Sequence, residues 1–594
     1  MEVFSNETIE LIWKYALYNA VKFGGKAKPK PVIGKILSER PDLRPRVKEL
    51  REIVENIVER VNSMSLEEQK AKLDELWPKW KEEKRAKAEI RKGLPPLPSV
   101  ERYETVVTRF APNPDGPLHL GSARPVILSY EYARMYRGKF ILRFEDTDPK
   151  IKRPILHLDP DEEREYDYIR SDLKWLGVEW DEEYIQSDRI EIYYEHAIKL
   201  IEKGGGYVCT CPRERFKLLR ESGKPCPHRN QSVEENLKLW EKMVGGGFSE
   251  GEAVLRVKTD LFYPDPSVRE WVAFRIIDPE KYPHPRSDVA KRKYWVWPTY
   301  NFAVTIDDHL MRVTHILRAK EHLTNTIKQG YLYKHLDWKP PEAIHFGRMK
   351  LEGIILSKSK IVKGIKEGVF SGWDDPSLGT LRALRKRGIQ PEAIRDIILD
   401  VGVKPSEVTV SWDNLIAANK KYVEPKAERF MFVRGRENKG PPIVKIEGLE
   451  RLHGEVPRHP SYPERGRRRI KLLKPAIFID IEDLESGLVK TGAKIRFIGL
   501  TNAEIVSVNG NMIEARSLGD DPEYAKQRGL PILQWVPVDN NVIVKVIKPG
   551  LTEEGFGDPG LKEVAVNVVI QFIRYGFVRL DRRNGELVFY YAHD

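Results

Sequence analysis

Three groups of residues have the types and spacings that chemistry requires. The first is Pro117-Leu118-His119-Leu120-Gly121-Ser122, at the turn from a β-branched run into a helix. A helix N-terminus that follows a strand gathers unpaired N–H groups and the positive end of the helix dipole, which suits phosphate. Gly121 lets a ligand approach the backbone, and His119 adds a side-chain donor for a phosphate or a leaving oxyanion. The second group is Ile355-Leu356-Ser357-Lys358-Ser359-Lys360. A Ser/Lys loop of this kind can close over a triphosphate and neutralise charge building on pyrophosphate. Taken singly, each string also reads as a capping turn or a basic surface loop.

The third group is Cys209-x-Cys211 followed by Cys226-x-His228, which holds all three cysteines of the chain. Three thiolates and an imidazole complete a tetrahedral zinc set with no open position, hence a structural ion. Three cysteines are too few for a disulfide framework. The expected role of the metal is to fold a small, glycine-rich segment.

Together the first two groups resemble the signature pair of class I aminoacyl-tRNA synthetases, H-I-G-H and K-M-S-K-S. They stand in the right order and flank an inserted segment. Thr108-Arg109-Phe110-Ala111-Pro112-Asn113-Pro114 and Arg143-Phe144-Glu145-Asp146-Thr147-Asp148-Pro149 resemble the glutamyl/glutaminyl subfamily. So do Tyr300-Asn301-Phe302-Ala303, Asp307-Asp308-His309, Thr314-His315-Ile316-Leu317-Arg318, Trp373-Asp374-Asp375-Pro376 and Ile532-Leu533-Gln534-Trp535-Val536. The likeness runs from residue 105 to about 580. Because the chain ends in strands, it is similar to the archaeal glutamyl branch. Ser122 replaces the second His of H-I-G-H, and Leu356 replaces the Met of the loop; Lys358 is retained.

The resemblance implies a two-step ligase that uses L-glutamate, ATP with Mg2+, and tRNAGlu; whether tRNAGln is also charged is left open. It assigns catalysis to His119, Ser122 and Lys358, and ATP binding to these with Gly121, Ser357 and Ser359. Substrate binding falls to Arg109, Glu145, Tyr300 and Arg318, with Glu145 at the position that holds the ammonium group. A glutamate pocket needs a cation at its far end, preferably a guanidinium. Arg109 and Arg318 are the candidates, and the sequence does not choose between them. Glutaminyl enzymes tend to carry a smaller neutral residue at the Arg318 position, so a glutaminyl enzyme is the alternative, ahead of a non-catalytic tRNA-binding paralogue.

These groups need a scaffold. A length of 594 residues predicts about four domains. Residues 1–98 read as a helical appendage, with apolar faces on 5–23 and around Val47–Val61, a Ser65/Glu68 capping box and a Pro/Gly linker at 93–98. A protein partner for this appendage is left open. Val106–Phe110, the helix from Gly121 and the strand Lys139–Phe144 make a βαβ unit. Residues 99–203 and 296–345 are expected to form a Rossmann-type catalytic domain, with Tyr300–Ile306 as a strand and Asp308–Lys320 as a helix. An acceptor-end-binding insert with the zinc cluster occupies 204–295. A helical stem-contact region with the Ser/Lys loop follows at 346–410, and anticodon-binding β-barrels at 411–594. The fold class is thus multidomain α/β plus β.

Charge and hydropathy agree with this layout. The 101 Lys and Arg against 89 Asp and Glu leave +12, which favours a polyanionic partner. Arg465, Arg467, Arg468, Arg469 and Lys471 form a basic run beside the barrels, read either as a solvated charge run or as a contact for the tRNA. No stretch approaches the ~20 apolar residues of a spanning helix. The first residues lack the regions of a signal peptide, so a cytoplasmic location is expected, with no membrane contact.

Overall fold

The computed structural model describes residues 4–22, 24–78, 80, 94–150, 165–354, 356–436 and 440–594. Residue 23 of the stretch 5–23, residue 93 of the linker and Ile355 lie outside these. The chain divides into two compact units, Met1–Pro95 and Pro96–Asp594.

The first unit is helical. Asn6–Lys22, Pro29–Glu39, Val47–Asn62 and Leu66–Leu76 pack around one core containing Ile12, Leu17, Ile36, Leu50, Val54 and Leu73. Gly24 and Gly25 end the first helix at positive φ, where a side chain would be strained. The capping box forms in both directions: Ser65 N donates to Glu68, and Glu68 N donates to the Ser65 hydroxyl. The helix Pro29–Glu39 was not expected. Its Pro-Lys-Pro start reads as a breaker, yet Pro29 occupies the first helical turn, where a missing N–H costs nothing.

The second unit begins with an α/β layer. Strands Val107–Phe110, Lys139–Phe144 and Glu182–Ile185 form a parallel sheet in that order. His315–Ala319 and Glu342–Phe346 form a second parallel pair. Thr314 joins them: its N–H donates to the Val107 carbonyl at 2.9 Å, and the Val107 N–H donates to its hydroxyl at 2.8 Å. Chain order therefore runs outward from Val107–Phe110 on one side, then resumes on its other side. Open α/β sheets bind ligands at such a switch point.

Two adjacent elements are exchanged relative to the sequence expectation. Tyr300–Leu310 is a helix and His315–Ala319 is the strand. The apolar, β-branched run Tyr300–Ile306 mimics a strand, but Phe302, Ala303 and Ile306 all face one core at helical spacing. His315–Leu317 are buried on both faces, so the strand shows no alternation.

The segment between these parts carries a four-stranded antiparallel sheet, Gly206–Cys209, Val254–Val257, Val272–Ile276 and Val296–Pro298. Residues 346–410 contain the helices Lys358–Lys366, Leu381–Arg387 and Pro391–Val401, with a small parallel pair, Met349–Leu351 and Val408–Val410. The run from 411 does not start with strands: Trp412–Val423 is a helix, capped by Ser411.

Two seven-stranded sheets complete the chain. One runs Arg429–Phe430, Val569–Phe572, Gly576–Arg583, Leu587–His593, Val542–Lys548, Leu551–Gly557, Phe432–Arg434. Its two outermost strands are neighbours around Met431, so the sheet closes on itself. The other runs from Ile532–Leu533 through Lys494–Phe497, Thr501–Asn509, Met512–Ser517, Ile443–Glu447 and Ala476–Phe478 to Val536–Pro537. It closes around Gln534 and Trp535 in the same way. The two closures touch: the Trp535 N–H lies 3.5 Å from the Met431 sulfur, and the Phe432 N–H donates to Gln534 Oε1 at 3.3 Å. All strands of the second barrel lie in sequence between the first two strands of the first barrel and the rest.

Candidate active site

His119 is the N-cap of the helix Leu120–Met135. Its backbone is extended, and its Nδ1 accepts from the Ser122 N–H at 3.1 Å. The acceptor role of Nδ1 places the ring proton on Nε2, which leaves an N–H donor. Burial, and next the charge of Lys358, push the His119 pKa down to about 4, against a small opposing pull from Asp115. The ring is neutral at physiological pH. The Ser122 hydroxyl lies 3.4 Å from both ring nitrogens.

This turn is sewn to the segment beyond the Ser/Lys loop. The Leu120 N–H donates to Gly379 O at 3.1 Å, and the Leu381 N–H to Leu118 O at 2.9 Å. A Cβ on Gly379 would stand 2.5 Å from a Leu356 methyl and 2.6 Å from an Ile354 methyl, so any larger residue here must displace these side chains. Lys358 opens the helix Lys358–Lys366 and bonds Asp115 Oδ1 at 2.6 Å and Gly116 O at 3.0 Å. The Ser357 and Ser359 hydroxyls are 3.1 Å apart. A cavity of about 490 Å3, lined by His119, Gly121, Phe346, Met349, Leu356 and Ser357 among others, joins the two motifs. Arg124 also lines it; its buried guanidinium donates to the backbone carbonyls of Gly347, Gly402 and Lys404. Burial pulls its pKa down to about 10.

The second cluster sits at the switch point. Arg109 is buried and grips Asp308 with Nε and Nη2, at 3.1 and 3.2 Å. Arg143, fully buried, donates to Asp308 at 2.8 Å and Glu145 at 3.3 Å, with Asp307 at 3.8 Å. Burial opposes the charge on Asp308, but Arg109 and Arg143 outweigh it and hold its pKa down to about 2. Burial likewise works against Arg143, and Asp308, Asp307 and Glu145 raise it. Asp307 in turn accepts from Gln186, Arg189 and Tyr193.

Arg318 differs. Its Nη2 donates to Thr326 and Gln329, both at 2.8 Å, while Nε and Nη1 are buried without a hydrogen-bond partner. The residue is 5% exposed. Burial, joined by repulsion from Arg109 and opposed by Tyr300 and Asp308, lowers its pKa. Burial and then Glu145 raise that of Tyr300, with Arg318 and Arg109 opposing. Arg109, Glu145, Tyr300 and Arg318 thus share one electrostatic neighbourhood. Asp115, Arg143 and Asp308 were not singled out as site residues from sequence. Arg143 and Asp308 lay within quoted motifs, but only their contacts reveal them.

The Cys and His residues converge elsewhere. Cys209 ends a strand, and Cys226 precedes the turn Pro227–Asn230. Their four ligand atoms all lie within 4.8 Å of one another. The Cys226 sulfur is 3.5 Å from those of Cys209 and Cys211, and 3.3 Å from His228 Nδ1. A tetrahedral ion with Zn–S near 2.3 Å sets sulfurs roughly 3.8 Å apart, so the residues fit zinc. His228 Nε2 meets the Thr210 hydroxyl at 3.0 Å, the outer contact that orients a ligating imidazole.

Among the described residues, no helix is long and apolar enough to cross a membrane. Residues 105–425 match the catalytic domain of tRNA synthetases class I (E and Q), and 427–518 and 532–581 match their anticodon-binding domain. A glutamate–tRNA ligase of Thermococcus kodakarensis is 51% identical over 99% of this chain and 100% of its own. One of Pyrobaculum calidifontis is 52% identical over 98% and 99%. A glutamate tRNA ligase from Elizabethkingia meningosepticum, solved with its amino acid, aligns over 55% of this chain and 70% of its own, at 23% identity and a TM-score of 0.39. By its family matches and by these near full-length relatives, the chain belongs to the class I tRNA synthetases of the E and Q family.

Proposed function

We propose that the chain activates L-glutamate with ATP and transfers it to the 3′ end of tRNAGlu. The α-carboxylate oxygen attacks the α-phosphorus of ATP. The bond to the bridging oxygen breaks, and its electron pair leaves with pyrophosphate. A hydroxyl of the terminal ribose of the tRNA then takes the glutamyl group and releases AMP. Such chemistry asks for positioning and charge neutralisation, not for a protein nucleophile. The His119 Nε2–H, the Ser122 hydroxyl and the Lys358 ammonium serve the phosphates, with Gly121 and Ser357 lining the cavity and Ser359 beside Ser357. Magnesium enters with ATP as its counter-ion. Zinc on Cys209, Cys211, Cys226 and His228 holds the inserted segment.

The observation that carries the choice of amino acid is Arg318, whose buried Nε and Nη1 find no geometric hydrogen-bond partner among the described residues. Arg109 already holds Asp308 with two donors, so Arg318 is the principal ligand of the side-chain carboxylate, helped by the Tyr300 hydroxyl. Glu145 faces the substrate ammonium. Opposite a glutamine amide, Arg318 would remain an uncompensated buried charge, which argues against a glutaminyl enzyme. A paralogue without catalysis would have no use for this whole constellation. The 204–295 insert serves the acceptor end, 346–410 the stem and the barrels the anticodon; residues 1–98 remain available to a protein partner. The setting is the cytoplasm. Pyrophosphate exchange in the presence of tRNA tests the reading: glutamate should support it, and a preference for glutamine would overturn it. Charging of tRNAGlu and tRNAGln transcripts then shows whether one or both are used.

A further inference from the structure

A lysine ammonium has three N–H donors. In Lys358 two are engaged before any nucleotide arrives, by Asp115 Oδ1 at 2.6 Å and the Gly116 carbonyl at 3.0 Å. Both acceptors belong to the turn that leads into His119, 243 and 242 positions away in sequence. The turn is itself fixed. Gly116 adopts φ +119, and a Cβ there would meet the Trp373 ring at 3.0 Å. Neither partner is loose in solvent: the side chains of Lys358 and Asp115 are 19% and 29% exposed.

We propose that Asp115 is a positioning residue for Lys358. With the Gly116 carbonyl it fixes the ammonium beside His119 and leaves one N–H for the phosphates of ATP. The proposal rests on the ATP-dependent activation argued above. A flexible four-carbon stem would otherwise lose its rotamer freedom at the moment of reaction. Anchored by a charge-assisted bond, it loses that freedom on folding, so the donor is preorganised where charge develops on the leaving pyrophosphate. Asp115 touches neither substrate nor reacting atoms. Its removal should therefore lower turnover more than nucleotide affinity.

The test is glutamate-dependent pyrophosphate exchange by the full chain with tRNA present, comparing wild type, Asp115→Ala, Asp115→Asn, Lys358→Ala and the Asp115→Ala/Lys358→Ala double variant. Asp115→Ala should lower kcat roughly 10–100-fold while the KM for ATP stays within about threefold. Asp115→Asn, which keeps an oxygen acceptor without the charge, should fall between. The double variant should be no slower than Lys358→Ala, because a positioning residue has nothing left to position. Thermal melting of Asp115→Ala should match wild type. Wild-type kcat in Asp115→Ala, a loss confined to the KM for ATP, or losses that multiply in the double variant would each overturn the proposal. Absence of exchange in wild type would overturn the activity itself, and this proposal with it.

Discussion

Two buried arginines of the proposed amino-acid pocket look alike in sequence and differ in what they hold. Arg109 is matched by Asp308, 199 positions away, and no local pattern reports such a pairing. Replacing Arg318 by Gln should raise the KM for glutamate roughly 100-fold, about 3 kcal/mol for a charge-assisted contact, and leave the KM for ATP unchanged. Steady-state exchange kinetics would check both. His119 permits a prediction about pH. Its folded pKa is about 4, against about 6.5 for a free imidazole. Between these values the unfolded chain binds more protons, so stability is lost as pH falls from about 6.5 to about 4. His119→Asn should remove part of that loss, seen in denaturant unfolding at pH 7 and pH 5. The ring's carbon-bound proton resonances should titrate near 4. The motif itself was legible; the tautomer, set by the Ser122 N–H, and the depressed pKa, set by burial and Lys358, were not.

At the scale of elements, alternation decides which charges are available. The strand Arg467–Lys471 pairs with His453–Pro457, which turns Arg467, Arg469 and Lys471 outward and Arg468 inward. Arg468 is ion-paired with fully buried Asp558 at 3.0 Å and lies over Phe430. The basic run is therefore two things. Replacing Arg467, Arg469 and Lys471 by Ala should weaken tRNA binding and flatten its salt dependence at unchanged melting temperature. Arg468→Ala should cost about 3–5 kcal/mol of stability, since it strands the Asp558 carboxylate. Equilibrium unfolding and filter binding separate the outcomes. The strand period was visible from the residues, but not its phase. At Tyr300–Ala319 even the element type was misjudged, because a fully buried strand loses its alternation and an apolar helix loses its polar face. The zinc set belongs to this scale too. Chelation should loosen residues 206–230, seen as faster amide exchange there, while the switch-point residues keep their protection.

At the scale of the whole molecule, the division at Pro95/Pro96 separates a helical unit with its own core from the residues proposed to carry the chemistry. A chain beginning at Pro96 should fold and activate glutamate at the rate of the full chain, measured by exchange. The boundary was legible because a Pro/Gly run marks it. The closed barrels were legible only as many short strands, since closure depends on pairings between strands distant in sequence, such as Arg429 with Gln571 and Phe432 with Gly557.

Those pairings have a consequence for synthesis. Arg429–Arg434 leaves the ribosome long before Val542–His593, with which it must pair. Closing a bare loop of that length costs roughly 4 kcal/mol in chain entropy. The intervening segment, however, can form its own barrel first, and it begins and ends close together: Ile443–Glu447 pairs with Ala476–Phe478, which pairs with Val536–Pro537. Once that barrel stands, the open loop shrinks to about a dozen residues and the cost falls by about 2 kcal/mol. Birth order is thereby written into the nesting. A lesion that unfolds 443–537 should therefore also weaken the outer barrel, by about 2 kcal/mol of loop closure, whereas one within 542–593 should leave the inner barrel's own pairings intact.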